Sequence, residues 1–255
     1  MHSTRRVANG SPVRQSGVRN LSGIFCVVVA LAALFPLNAV SADTRQSMKG
    51  KAGVTAKSAH VVIVGASYAR NWNPPELGGL KVVNRGVGGE QTHEVLARFD
   101  KDVVANSPRA VIIWGFINDV FRSTPEEVES KLVRSRENLN AMIEKARSKG
   151  IIPIVATEVT LPVGDSWSDR IAGWAGALRG KKGYQDYING HVVEMNHWVR
   201  RIAAEKKLTL LDFEKVLADN KGRRKPEYAT QDGTHLSPQA YEALTDYTKR
   251  MNLGV

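Results

Sequence analysis

The chain has 255 residues, 42% of them hydrophobic and 24% charged, which suits one folded, soluble domain with an added terminal segment. This balance excludes the disordered and collagen-like classes, and a single cysteine, Cys26, excludes a disulfide scaffold. The net charge of +11 is scattered, with short knots at Lys181-Lys182 and at 221–225 (KGRRK); no nucleic-acid-binding motif accompanies them, so solvated surface is the simpler reading.

Residues 1–42 are expected to be a secretory signal peptide. Arg5, Arg6, Arg14 and Arg19 lead into the apolar run IFCVVVALAALF (24–35), which is short for a bilayer span. Pro36 breaks the run, and Val40-Ser41-Ala42 supplies small residues for cleavage before Asp43. Phe25, ahead of Cys26, is too large for a lipoprotein cleavage site. Cleavage after Ala42 removes the cysteine and four of 36 basic residues, leaving 32 against 25 acidic, a net +7. The mature protein is expected to be exported, periplasmic or secreted, with no stable membrane insertion. Residues 43–59 are small and polar without periodicity and read as a linker, which leaves 60–255 for the globular domain.

Strand-like and helix-like stretches then alternate. HVVIV (60–64), KVVN (81–84), AVIIW (110–114), IIPIVAT (151–157) and LTLLDF (208–213) read as strands. Helices are expected over 92–105, 125–148, 188–206 and 238–252. The second has a capping box from Thr124, Pro125 and Glu127 and stops at Gly150; the last opens on Ser237-Pro238. Such alternation implies a parallel sheet covered by helices on both faces, with the working groups at the carboxyl ends of the strands.

Those ends carry a distinctive set. Ser67 follows the first strand, Gly86 to Gly89 the second, Asn118-Asp119 the third, and Asp232 and His235 stand just before the last helix. A serine hydroxyl needs a base, which His235 can be, and Asp232 can hold the other ring nitrogen. An oxyanion formed at an ester carbonyl needs donors, which the backbone of Ser67 and Gly89 and the side-chain amide of Asn118 can supply. Taken singly, each of these is an ordinary turn or loop residue; their joint occurrence favours catalysis.

The four blocks VVIVGASYA (61–69), NRGVGGEQT (84–92), WGFIND (114–119) and DGTHLSPQAY (232–241) resemble the SGNH (GDSL-like) hydrolase family, in order and spacing over residues 60–250. The resemblance implies a flavodoxin-like three-layer α/β/α sandwich with a five-stranded parallel sheet. It implies Ser67 as nucleophile, Gly89 and Asn118 completing the oxyanion hole, and Asp232 and His235 completing the triad, with neither metal nor other cofactor. The implied substrates are carboxylic esters, small or on polysaccharide. An acyltransferase acting on a sugar hydroxyl, and an inactive carbohydrate-binding domain of the same fold, stay open as alternatives; the oligomeric state is not legible.

The chain departs from the family pattern twice. Ala66 stands where the family usually has an aspartate that orders loops around the site. Phe116 stands where it usually has glycine, and its ring either narrows the acyl pocket or packs beneath the loop. The α/β-hydrolase reading of Gly65-Ala66-Ser67-Tyr68-Ala69 fails, because Ser67 ends the first strand of the domain and Asp232 lies three residues from His235. A dinucleotide site fails because Gln91 falls where a third glycine is needed. His191 and His197 (HVVEMNH) point about 240° apart on a helix and make no metal motif. The segment 160–187, with Trp167, Trp174, Tyr184 and Tyr187, is long for a strand–helix connection and is expected to form a wall or lid, or to pack its rings on the domain. Glu158 lies near the same edge without an assigned role.

Overall fold

The computed structural model describes residues 58–163 and 183–255. The signal peptide, the linker as far as residue 57, Lys181-Lys182, Trp167, Trp174 and most of the expected lid lie outside the described residues.

Six strands form one sheet: β1 (Ser58–Gly65), β2 (Glu76–Leu77), β3 (Leu80–Gly86), β4 (Pro108–Trp114), β5 (Ile152–Ala156) and β6 (Thr209–Leu211). Their order is β2-β3-β1-β4-β5-β6. Five of them are parallel, in the flavodoxin-like order expected of a doubly wound sheet. The sixth, β2, is a correction to the five-stranded expectation: it is a two-residue antiparallel edge hairpinned to β3. Its turn, Gly78-Gly79, has φ of 57° and 77°, the left-handed pair that a tight two-residue hairpin requires.

Val61 to Val64 of central β1 and Ala110 to Trp114 of β4 are all buried, because helices cover both faces of the sheet. The helices are α1 (Ser67–Asn71), α2 (Thr92–Ala97), α3 (Phe99–Asp102), α4 (Ile117–Phe121), α5 (Val128–Ser148), α6 (Tyr184–Glu205), α7 (Phe213–Leu217) and α8 (Pro238–Arg250). Among the described residues no helix is long and apolar enough to cross a membrane.

Three helix expectations are corrected. The stretch 92–105 divides at Arg98, whose side chain is pulled aside to Glu90, Asp102 and the Arg85 carbonyl. Helix α5 starts at Val128 rather than 125, since Thr124 to Glu127 forms a separate turn in which the Thr124 side chain does not cap. Helix α6 begins at Tyr184, four residues early. The Ser237-Pro238 start is as expected, with the Ser237 hydroxyl accepting from Ala240 N–H at 3.2 Å.

Register places the site. Gly65 pairs with Gly86 on one side and Trp114 on the other, so three parallel strands end level. A Cβ on Gly65 would lie 1.7 Å from the Trp114 carbonyl oxygen, so only glycine lets the chain leave β1 there. Below this edge Trp72, Trp114 and Phe213 pack edge-to-face, with centroids 4.7 to 5.9 Å apart.

Candidate active site

Ser67 is the first residue of α1, and Tyr68 and Ala69 behind it are buried. Asn84 fixes the far end of that short helix: its amide donates to the carbonyls of Ala69 and Trp72, each at 2.8 Å, while its oxygen accepts from Gly86 N–H at 2.8 Å. The second loop is thereby hooked to the serine's helix. Gly89 sits at φ 82°, where a side chain would be strained, and its loop carries Glu90, whose carbonyl accepts from the Asn118 amide at 2.9 Å. The adjacent Asp119 is buried and accepts from Thr92 N–H, Thr92 Oγ1 and Ser135 Oγ at 2.8 to 2.9 Å. Burial pushes the Asp119 carboxyl up, against these hydrogen bonds.

The last block forms a tight loop. Asp232 Oδ1 accepts from the backbone N–H of Thr234 (2.7 Å) and His235 (2.9 Å) and from the hydroxyl of Thr230 (2.9 Å). Oδ2 is left for His235 Nδ1, at 2.7 Å. Partial burial pushes the Asp232 carboxyl up, but the hydrogen bonds from His235, Thr234 and Thr230 outweigh it and hold the group well below the usual carboxylate range. An ionised Asp232 makes Nδ1 the protonated nitrogen and leaves Nε2 as the basic one.

Ser67, Gly89, Asn118 and His235 line one cavity of about 410 Å³, with Tyr68 and Ile117 among its walls. Every residue predicted for the site is thus brought together, with Asp232 behind the histidine. A larger groove, about 770 Å³, runs between Asn71–Pro74 and α8, but neither Ser67 nor His235 lines it. The chemistry, rather than the size, singles out the smaller cavity.

Two open readings resolve. Phe116 is 2% exposed and does not line the cavity; it belongs to the buried core beneath the loop, so the narrowed acyl pocket is discarded. Glu158 is buried and also outside the cavity; its Oε1 accepts from the N–H of Phe116 (3.0 Å) and Ile117 (3.4 Å), at the start of α4. Tyr184 and Tyr187 lie on α6, partly buried against the core.

Arg224, expected with its basic knot on solvated surface, is instead 2% exposed. Its guanidinium donates to three successive carbonyls of the histidine loop, Gly233 (2.7 Å), Thr234 (3.1 Å) and His235 (3.3 Å). Tyr68, the residue after Ser67, donates to the same Thr234 carbonyl at 2.6 Å. Burial pushes the Tyr68 phenol up to about 12, so it remains a neutral donor. The one group among the described residues that could crowd a cation, Glu129, His191 and Glu194, lies on α5 and α6 outside the cavity lining, and Arg136 already holds Glu194.

A doubly wound sheet whose strand tips gather a serine, a glycine loop, an asparagine and an aspartate-backed histidine defines an α/β/α hydrolase of the SGNH kind. The chain belongs to the GDSL-like lipase/acylhydrolase family, whose model matches residues 53–243. It is 27% identical over 187 residues to the uncharacterized lipoprotein YqeF of Bacillus subtilis, covering 67% of this chain and 74% of that one. A shorter match, 46% over 48 residues, is to an acetylxylan esterase of Geobacillus stearothermophilus and spans only 22% of that protein and 19% of this one. Among solved structures, a GDSL-like lipase from Bacteroides thetaiotaomicron superposes with TM-score 0.59 at 20% identity, over 75% of this chain and 86% of that one. A catalytic mutant of an acetylxylan esterase from Geobacillus stearothermophilus gives 0.57 at 17%, over 75% and 93%. At these identities the two structures speak to the fold; the family match supports a hydrolase acting on esters.

Proposed function

We propose that the chain is an exported serine esterase that cleaves carboxylic esters through an acyl-enzyme on Ser67. The observation that carries this reading is the convergence of Ser67, Gly89, Asn118 and His235 on one cavity, with Asp232 2.7 Å behind the histidine. In this mechanism His235 Nε2 takes the Ser67 hydroxyl proton as Oγ attacks the ester carbonyl. The oxyanion is held by the N–H groups of Ser67 and Gly89 and by the Asn118 amide, whose other hydrogen stays on Glu90. The imidazolium then gives its proton to the departing alcohol. Water, activated by the same nitrogen, releases the acid and restores Ser67.

In this reading a domain over 60–255 is preceded by a signal peptide (1–42) and a linker (43–59), of which 58–59 fall to the start of β1. Export agrees with the lipoprotein name of the relative YqeF, and a short-acyl or carbohydrate O-acetyl ester with the esterase named above. The test is hydrolysis of a p-nitrophenyl ester ladder, from acetate to octanoate, by the purified protein beside Ser67→Ala. The variant is expected to lose turnover at near wild-type thermal stability. Equal turnover by the variant would overturn the assignment.

A further inference from the structure

We propose that the cavity selects esters carrying a carboxylate beside the scissile bond, with Arg70 and Arg122 as the recognition pair. This deepens the esterase reading of the same site and rests on it.

The cations lining the cavity are Arg70 and Arg122, and among the described residues no carboxylate lines it. Four acids near the site are engaged elsewhere. Asp232 is held by His235 and its loop, Glu90 by Arg98 at 2.6 Å, Asp119 by Thr92 and Ser135, and Glu158 lies buried under α4. The arginines behave differently inside and outside the cavity. Arg98 and Arg200 are clamped by two carboxylates each at 2.6 to 2.7 Å, and Arg223 by one at 3.1 Å. Among the described residues the Arg70 side chain meets only the Asn71 side-chain oxygen, at 3.2 Å. Arg122 reaches Glu94 at 4.0 Å, with both side chains about half exposed, a pairing that contributes little.

Nor do these two cations simply extend into solvent. A Cβ on Gly88 would lie 2.6 Å from Arg70 Nη1, and one on Gly89 3.0 Å from Arg122 Nη2. Both guanidiniums therefore fold over the same glycine turn, using the space that the missing side chains leave. Neighbouring Cα atoms are about 3.8 Å apart, so both cations lie along the same short stretch of the cavity wall. A neutral ester needs no such arrangement. A carboxylate matches it, because the planar guanidinium fork donates two parallel N–H bonds to its oxygens, and a one-sign cleft with apolar walls focuses its field on an anion. The walls here include Ile117 and Phe121.

The experiment separates binding from turnover. Binding to full-length Ser67→Ala is measured by calorimetry at low salt. One probe carries the anion on the acyl side (4-nitrophenyl hemiglutarate) and one on the alcohol side (O-acetyl-lactate), each beside its neutral methylamide. At least one anionic probe is expected to bind about tenfold tighter than its neutral partner, equal to about 1.4 kcal/mol. That ratio should fall towards unity when Arg70→Gln and Arg122→Gln are added, and when salt is raised. Equal binding of both members of each pair, no binding of either anionic probe, or a preference that survives both arginine changes would overturn the proposal. Wild-type turnover of the same probes tests the esterase reading separately. Preference in binding without hydrolysis of any probe would sink that reading and leave anion recognition standing, whereas hydrolysis without preference would do the reverse.

Discussion

Replacing Glu158 by glutamine should change how stability depends on pH. Glu158 is buried, and its Oε1 accepts two backbone N–H groups at the start of α4. Burial pushes the carboxyl up from 4.5 to about 7, against the hydrogen bonds from Phe116, Ile117 and Val159, with the nearby Asp119 charge adding to the rise. The folded pKa is therefore the higher one. Between 4.5 and about 7 the native state holds the proton longer than the unfolded chain. The contribution is present in full below 4.5 and is lost as pH rises through about 7. The gap corresponds to about 3 kcal/mol, or about 6–12 °C in Tm for a domain of this size. Glutamine keeps the acceptor for Phe116 and Ile117 but cannot ionise. Thermal melts followed by circular dichroism should show Glu158→Gln close to wild type at about pH 5 and more stable by about that margin at about pH 9. A difference between the two proteins that stays constant with pH would refute the argument.

Other expectations follow from the same geometry. Asn118→Ala should lower kcat by ~10²–10³-fold in ester hydrolysis, as loss of one oxyanion donor does, and an unchanged kcat would remove Asn118 from the site. Asp232→Asn should lower kcat by on the order of 10⁴-fold without unfolding the protein, since the wrong histidine tautomer is then favoured; a loss under about tenfold would show that another group orients His235. Arg224→Met should destabilise the fold by about 3 kcal/mol or more in denaturant titration, because three carbonyls lose their donor, and should lower kcat with a shifted pH profile of kcat/KM. Arg224→Lys should rescue little, because an ammonium cannot span three successive carbonyls in one plane; wild-type stability in Arg224→Met would show that the clamp is idle.

The strand tips were legible because central parallel strands read as unbroken apolar runs, and glycine, asparagine and histidine punctuate their ends. Strand β2 leaves a weaker trace: Glu76-Leu77-Gly78-Gly79-Leu80 carries the Gly-Gly hairpin signal, but two residues are too few to show alternation. Other features left no local trace. The break at Arg98 is made by side-chain contacts to Glu90, the Arg85 carbonyl and Asp102, while the apolar positions run on through it. Arg224 stands in a basic knot whose neighbour Arg223 is half-buried and paired with Asp219, and only the folded loop makes the one fully buried and the other not. Asn189 and Asn196, one heptad apart on α6, use both ends of their amides on the backbone of Leu161 and Glu158, continuing β5's fixed path beyond the sheet. Such residues bond to backbone groups of distant segments, and hydrophobic periodicity carries no record of that.

These buried polar groups also answer how the serine is positioned without the aspartate its family usually places before it. Ala66 caps α1 with no side-chain hydrogen bond, so the first block receives nothing from that position. The ties come instead from both neighbouring blocks. Asn84 of the second holds the carbonyl end of α1, and Tyr68 of the first reaches the Thr234 carbonyl of the fourth. Asn118 and Asp119 of the third grip Glu90 and Thr92 of the second. Arg224 then clamps the fourth block by three carbonyls, one of them shared with Tyr68. Each block thus lines the cavity and also carries a group that grips another block or is gripped by one. Loss of the aspartate removes one tie from a closed set, and the Ser67–His235 relation rests on the Tyr68–Thr234–Arg224 junction, which is where Arg224→Met is expected to be felt.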